Sequence, residues 1–130
     1  MKKLVLVVIV AMLAALVGAP PAAVARPGED AKGNTYRTYT ACSARLDAVP
    51  ARRCPKRGTK GAFFKSVDAH VHYKVCVKFP NGQKPCARNQ DAPRGRLQVN
   101  AITSDRIGEH TVTWFVGGNK VSTRRFTIHG

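Results

Sequence analysis

From Val71 to Phe79 apolar and polar side chains alternate at every step: Val71, Tyr73, Val75, Val77 and Phe79 are interleaved with His72, Lys74, Cys76 and Lys78. A period of two is that of a strand with one buried face. The pattern returns at Leu97, Val99 and Ala101, and again at Val112, Trp114 and Val116. After the last of these, Gly117, Gly118 and Asn119 supply a turn toward Val121, Phe126 and Ile128. Trp114 shares its strand face with Val112 and Val116, which predicts a core position rather than a stacking platform. Upstream, Tyr36 and Tyr39 stand among threonines in a further β-forming stretch. Between Cys42 and Cys54, Leu46 and Val49 are too few for a full helix and Pro50 interrupts the run, so one helical turn is expected there. Strands with turn signals every 8 to 12 residues or so predict an all-β fold, a small antiparallel sandwich or barrel.

The segment VHYKVCVKFPNGQKPC, residues 71–86, carries two cysteines with Pro80, Asn81 and Gly82 between them. A two-residue turn on Asn81 and Gly82 leaves Cys76 and Cys86 one position out of register. A three-residue loop of Pro80, Asn81 and Gly82 pairs Phe79 with Gln83 and sets Cys76 opposite Cys86. Pro and Asn suit the first two positions of a type I turn, and Gly the left-handed third. Directly opposed residues lie about 4.5 to 5.5 Å apart, within the span of a disulfide. Among the three connectivities of four cysteines, Cys42 with Cys54 is then the remainder. Neither cysteine of the hairpin lies in a C-x-x-C, and the short-spaced ligand pairs of a structural zinc site are missing. Each bridge closes a loop that contributes about 2 to 3 kcal/mol through the unfolded state.

At the N-terminus, Lys2 and Lys3 precede an apolar run from Leu4 to Val17, and Ala23, Val24 and Ala25 make an A-x-A site. This is the layout of a cleaved signal peptide over residues 1–25, since the run is shorter than the roughly 20 residues of a membrane span. Residues 26–34, which contain RPGEDAKG, read as a flexible basic leader, and residues 35–130 as one disulfide-stapled β domain. Export fits an even cysteine count, so the expected location is secreted, with no stable membrane anchor after cleavage. Cleavage also removes two of the 22 lysines and arginines, leaving 20 against 7 acidic residues, a charge of +13. Such a balance bears on partners, not on fold, and favours a polyanion or an acidic protein surface.

The hairpin register gives that charge a place. With Val71, Tyr73, Val75, Val77, Phe79 and Ala87 facing the core, His72, Lys74, Lys78, Lys84 and Arg88 gather around the disulfide on the other face. Lys78 opposite Lys84 is a like-charge pair that an anionic ligand would relieve. Tyr36 and Tyr39, beside Arg37, are the candidates for exposed aromatics among charges. His70 and His72 point the same way on a strand, but two imidazoles fall short of the three or four protein ligands of a zinc site, so no metal and no cofactor is expected. No catalytic residues stand out: G-x-S-x-G, H-E-x-x-H and P-loop patterns are missing, and the cysteines are consumed in bridges.

The stretch GEHTVTWFVGGNKVSTRRFTI, with the hairpin before it, resembles the small immunoglobulin-like sandwich domains of bacterial secreted proteins. In these a G-x-[HY]-x-V-x-W strand leads into a Gly-rich hairpin and a closing strand. The resemblance covers roughly residues 62–129 and departs from antibody-type domains, whose disulfide joins two sheets across a long separation. It implies an Ig-like fold and a role in adhesion, binding or spacing, and it carries over no functional residues. The expected function is that of an exported, monomeric, non-enzymatic binding module with no small-molecule substrate. The alternative is a secreted effector or enzyme such as a nuclease, or an enzyme inhibitor.

Overall fold

The computed structural model describes residues 28–30 and 32–130; the signal segment and its cleavage site lie outside the described residues. Eight strands follow one another: β1 (Tyr36–Ala41), β2 (Arg53–Pro55), β3 (Lys60–Ser66), β4 (Val71–Lys78), β5 (Cys86–Ala92), β6 (Leu97–Ile102), β7 (Gly108–Val116) and β8 (Asn119–His129). They form a three-stranded sheet, β1-β3-β6, and a five-stranded sheet, β2-β8-β7-β4-β5. All pairs are antiparallel except β2 with β8, which is parallel. This exception arises where the chain leaves the β1 edge through the Cys42–Cys54 loop and crosses to the other sheet. Along this crossing Ala51 N–H donates to the Thr40 carbonyl at 2.9 Å, and Thr127 N–H donates to the Arg52 carbonyl at 2.8 Å. The segment therefore ties the two sheets together along one side.

Between the sheets the inward residues of each strand meet. Tyr36, Phe64 and Tyr73 stack in sequence, with ring centroids 5.3 and 4.2 Å apart, and Val75, Val112, Trp114, Phe126 and Ile128 complete the core. Trp114 is fully buried, in keeping with its place in the alternation. Both expected bridges form, Cys76–Cys86 across the hairpin and Cys42–Cys54 as the remainder, with Cα atoms 4.0 and 5.2 Å apart. The Pro80–Gly82 loop closes as a three-residue turn: Phe79 N–H donates to the Gln83 carbonyl, and Gly82 sits at φ 87°. At the next hairpin Gly117 and Gly118, at φ 58° and 80°, supply the two left-handed positions of a type I′ turn.

Several expectations are corrected. The Cys42–Cys54 loop contains no helical turn; a single β-turn closes with Ala48 N–H on the Arg45 carbonyl, and Pro50 has no N–H with which to continue a helix. The leader's described residues make hydrogen bonds among themselves and to the domain. Its composition offers little apolar surface, but the Asp30 carboxylate collects donors from Lys32 N–H, Asn34 N–H, the Asn34 amide and the Tyr36 hydroxyl. Burial alone would raise the Asp30 pKa; these hydrogen bonds outweigh it and hold the carboxyl below its ordinary range. Gly28 adds backbone bonds to Val121 and Tyr36. Tyr36 is accordingly a core residue, and its hydroxyl titrates well above the ordinary tyrosine range through burial and the neighbouring Asp30.

The apolar row of β6 also faces the unexpected way. Val99 pairs with Phe63, and Phe63 stacks on Tyr39 at 4.6 Å on the outer side of the small sheet. Phe63 is nevertheless fully buried, because the disulfide loop folds over it. At Gly61 an added Cβ would lie 2.6 Å from the Phe63 ring and 2.7 Å from the Ser43 carbonyl, so only glycine admits the loop this closely. The inner row of β6 instead carries Asn100, which accepts from the Tyr73 hydroxyl at 2.6 Å and donates to Gln90 at 3.0 Å.

Candidate anion-binding face

The outer face of the five-stranded sheet is built by alternation. Once Tyr73, Val75 and Val77 turn inward on β4, His72, Lys74, Cys76 and Lys78 must turn outward. Bonds from Val77 N–H to the Pro85 carbonyl and from Phe79 N–H to the Gln83 carbonyl extend the β4–β5 pairing to the turn, which leaves Lys78 opposite Lys84. His72, Lys78, Lys84 and Arg88 are exposed, while Lys74 is half-buried with its ammonium 4.4 Å from the Phe115 ring centroid. An ammonium over an aromatic face is attracted by the ring quadrupole. His72, Lys74, Arg88 and Phe115 line a shallow hollow of about 360 Å³.

Neighbouring strands enlarge this face in a way the local sequence could not reveal. Lys78 pairs with Thr111 and Thr111 with Arg125; Lys74 pairs with Phe115 and Phe115 with Lys120; on β2, Arg53 stands opposite Thr127. The acidic residues on the same face are Glu109, 3.9 Å from Arg125, and Asp91, beside His70 and His72. At the side of the sandwich the face runs into a cleft of about 730 Å³ between β1 and β8. Arg52, Arg53, Arg124 and Arg125 line it with Tyr39 and Glu109. Arg124 is steadied by a 3.4 Å bond from its Nε to Thr38 Oγ1. Neither arginine pair stands out as a site in the sequence, since Arg52–Arg53 and Arg124–Arg125 are far apart in the chain. Tyr39, one of the two tyrosines singled out, reaches this cleft half-buried; Tyr36 does not.

Two buried polar groups are placed for stability. His110 stacks on Phe126 at 4.8 Å, with Nδ1 on the Gly108 carbonyl at 3.1 Å and Nε2 on Ser104 Oγ at 2.8 Å. Both ring nitrogens are satisfied in the neutral form, with Nδ1–H donating and Nε2 accepting. Burial lowers its pKa, the Gly108 carbonyl opposes this, and the charge of Lys60 adds to the lowering. The Ser104–His110 pair has no carboxylate behind the imidazole and the imidazole is fully buried, which is not the arrangement of an activated nucleophile. Lys60, also fully buried, donates from Nζ to the carbonyls of Lys56, Arg57 and Gly58 at 3.0, 3.2 and 2.7 Å and so cements the loop before β3. Burial lowers its pKa, and Asp105 works against that.

No family model matches the chain, and no curated protein matches it. Among solved structures, the chain is similar to an immunoglobulin-like protein from Pseudomonas aeruginosa, at 13% sequence identity and a TM-score of 0.49. The match covers 72% of this chain and 91% of that one. The site rests on the residues described above.

Proposed function

We propose that this protein is an exported, non-enzymatic binding module that holds an anionic partner against the outer face of its larger sheet. One observation carries the reading: strand pairing collects Lys74, Lys78, Lys84, Arg88, Lys120, Arg125 and Arg53 on one face, which continues into a cleft lined by Arg52 and Arg124. Like charges so gathered repel one another, and an anionic polymer relieves that repulsion while releasing counterions. Two disulfides fit an oxidising compartment, and the signal-like N-terminus supports export.

The test is titration of the protein with polyphosphate or dextran sulfate at several salt concentrations. Affinity should fall steeply as salt rises. Replacing Lys74, Lys78 and Lys84 together by Glu should weaken binding by about tenfold or more with the fold intact. Equal affinity for wild type and the triple variant would show that the hairpin face is not the contact surface.

A further inference from the structure

His70 and His72 alone make a poor metal site, and the missing ligand comes from a fault in the β4–β5 register. From the turn, the pairing runs regularly through Cys76 with Cys86 and Val75 with Ala87. Continued without change it would put Gln90 opposite His72 and turn Asp91 toward the core beside Val71. Instead the ladder shifts: between Val75–Ala87 and Tyr73–Gln90, β4 contributes Lys74 alone while β5 contributes Arg88 and Asn89. Asn89 takes up the extra residue at φ 56°. A bulge of this kind moves every later side chain to the opposite face. Asp91 therefore stands opposite His72, on the outer face, where its Oδ1 meets His70 Nε2 and lies 3.5 Å from His72 Nδ1.

We propose that His70, His72 and Asp91 form a binding site for a late divalent transition metal of the Zn²⁺ class. One ligand atom from each residue falls within 4.8 Å of the other two, close enough for small rotations about the side-chain bonds to converge them on one ion. The side chains are 58%, 75% and 54% exposed, so these rotations meet little resistance and a fourth position stays open to water or a ligand atom of a partner. Two imidazoles with one carboxylate select zinc or copper over calcium or magnesium, which want oxygen ligands. The one carboxylate also offsets part of the cost of a dication near Arg88 and Lys74. The Cys76–Cys86 bridge and the Asn89 bulge fix both strands, so His72 and Asp91 are held opposite each other before any metal arrives, with His70 just before β4. This site shares His72 with the basic face but rests on its own geometry, so either proposal can fail without the other.

The experiment is calorimetric titration of the untagged exported protein with ZnCl₂, followed by ¹H–¹⁵N spectra of the histidine rings. We expect one Zn²⁺ per chain with micromolar affinity and shifts of the His70 and His72 ring nitrogens. Asp91→Asn and His70→Ala should each weaken binding by about tenfold or more. His129→Ala, at an exposed histidine on β8, should leave it unchanged. Undiminished affinity in Asp91→Asn, or binding that is lost in His129→Ala or does not saturate, would overturn the proposal. All three substitutions are at exposed positions, and amide dispersion reports separately that the fold persists.

Discussion

His110 shows what a single buried titratable side chain does to this fold. Its imidazole is fully enclosed and neutral, so its folded pKa lies below the ordinary value of 6.5 that it regains on unfolding. The unfolded chain therefore binds the proton first as pH falls, and stability is full above about 6.5 and is lost progressively below it. Thermal unfolding from pH 7.5 to 5 should show a falling midpoint, and His110→Phe should flatten that slope at a cost of about 1 to 2 kcal/mol at neutral pH for its lost hydrogen bonds. A slope that survives in the variant would assign the effect elsewhere. Asp30 acts in a separate window: its pKa is held below 3.8, so its contribution is present above that value and fades only in stronger acid.

Among the elements, the β4–β5 hairpin was the most legible in sequence and also the source of its main surprise. Turn chemistry and cysteine spacing gave the loop, the register and the bridge, because all three are local. The bulge was not legible, since nothing in ARNQ announces that Asn89 takes the left-handed conformation. Asn tolerates that conformation better than most residues, and a β-branched side chain tolerates it poorly. Asn89→Val should then cost about 1 to 2 kcal/mol in denaturant unfolding, whereas Asn89→Gly should stay within about 0.5 kcal/mol of wild type. Equal losses in both would mean that the Asn89 side chain, not its backbone, holds the bulge. β6 taught a different lesson. Leu97, Val99 and Ala101 alternate as a core strand would, but the disulfide loop roofs the outer side of the small sheet and makes a second apolar layer there, so period alone named the wrong face.

At the scale of the whole molecule, strand order decides what the sequence leaves open. The set His72, Lys74, Lys78, Lys84 and Arg88 was readable from one hairpin. That Lys120, Arg125 and Arg53 join it follows only from β7 lying beside β4, and β8 between β7 and β2. The arginine cleft is likewise a product of topology, since Arg52 and Arg124 line one cleft only because the crossing segment after Cys42 lies along β8. Nine of the chain's 22 lysines and arginines thus fall on one outer face and the cleft beside it.

The most direct test of this account is to map the contact surface by amide chemical shifts, adding short polyphosphate to the ¹⁵N-labelled exported protein. Saturable shifts should concentrate on the outward positions of β4, β7 and β8 and along the Arg52–Arg53 segment, and should collapse as salt is raised. Shifts confined to the small sheet, or spread evenly over every lysine and arginine, would contradict it.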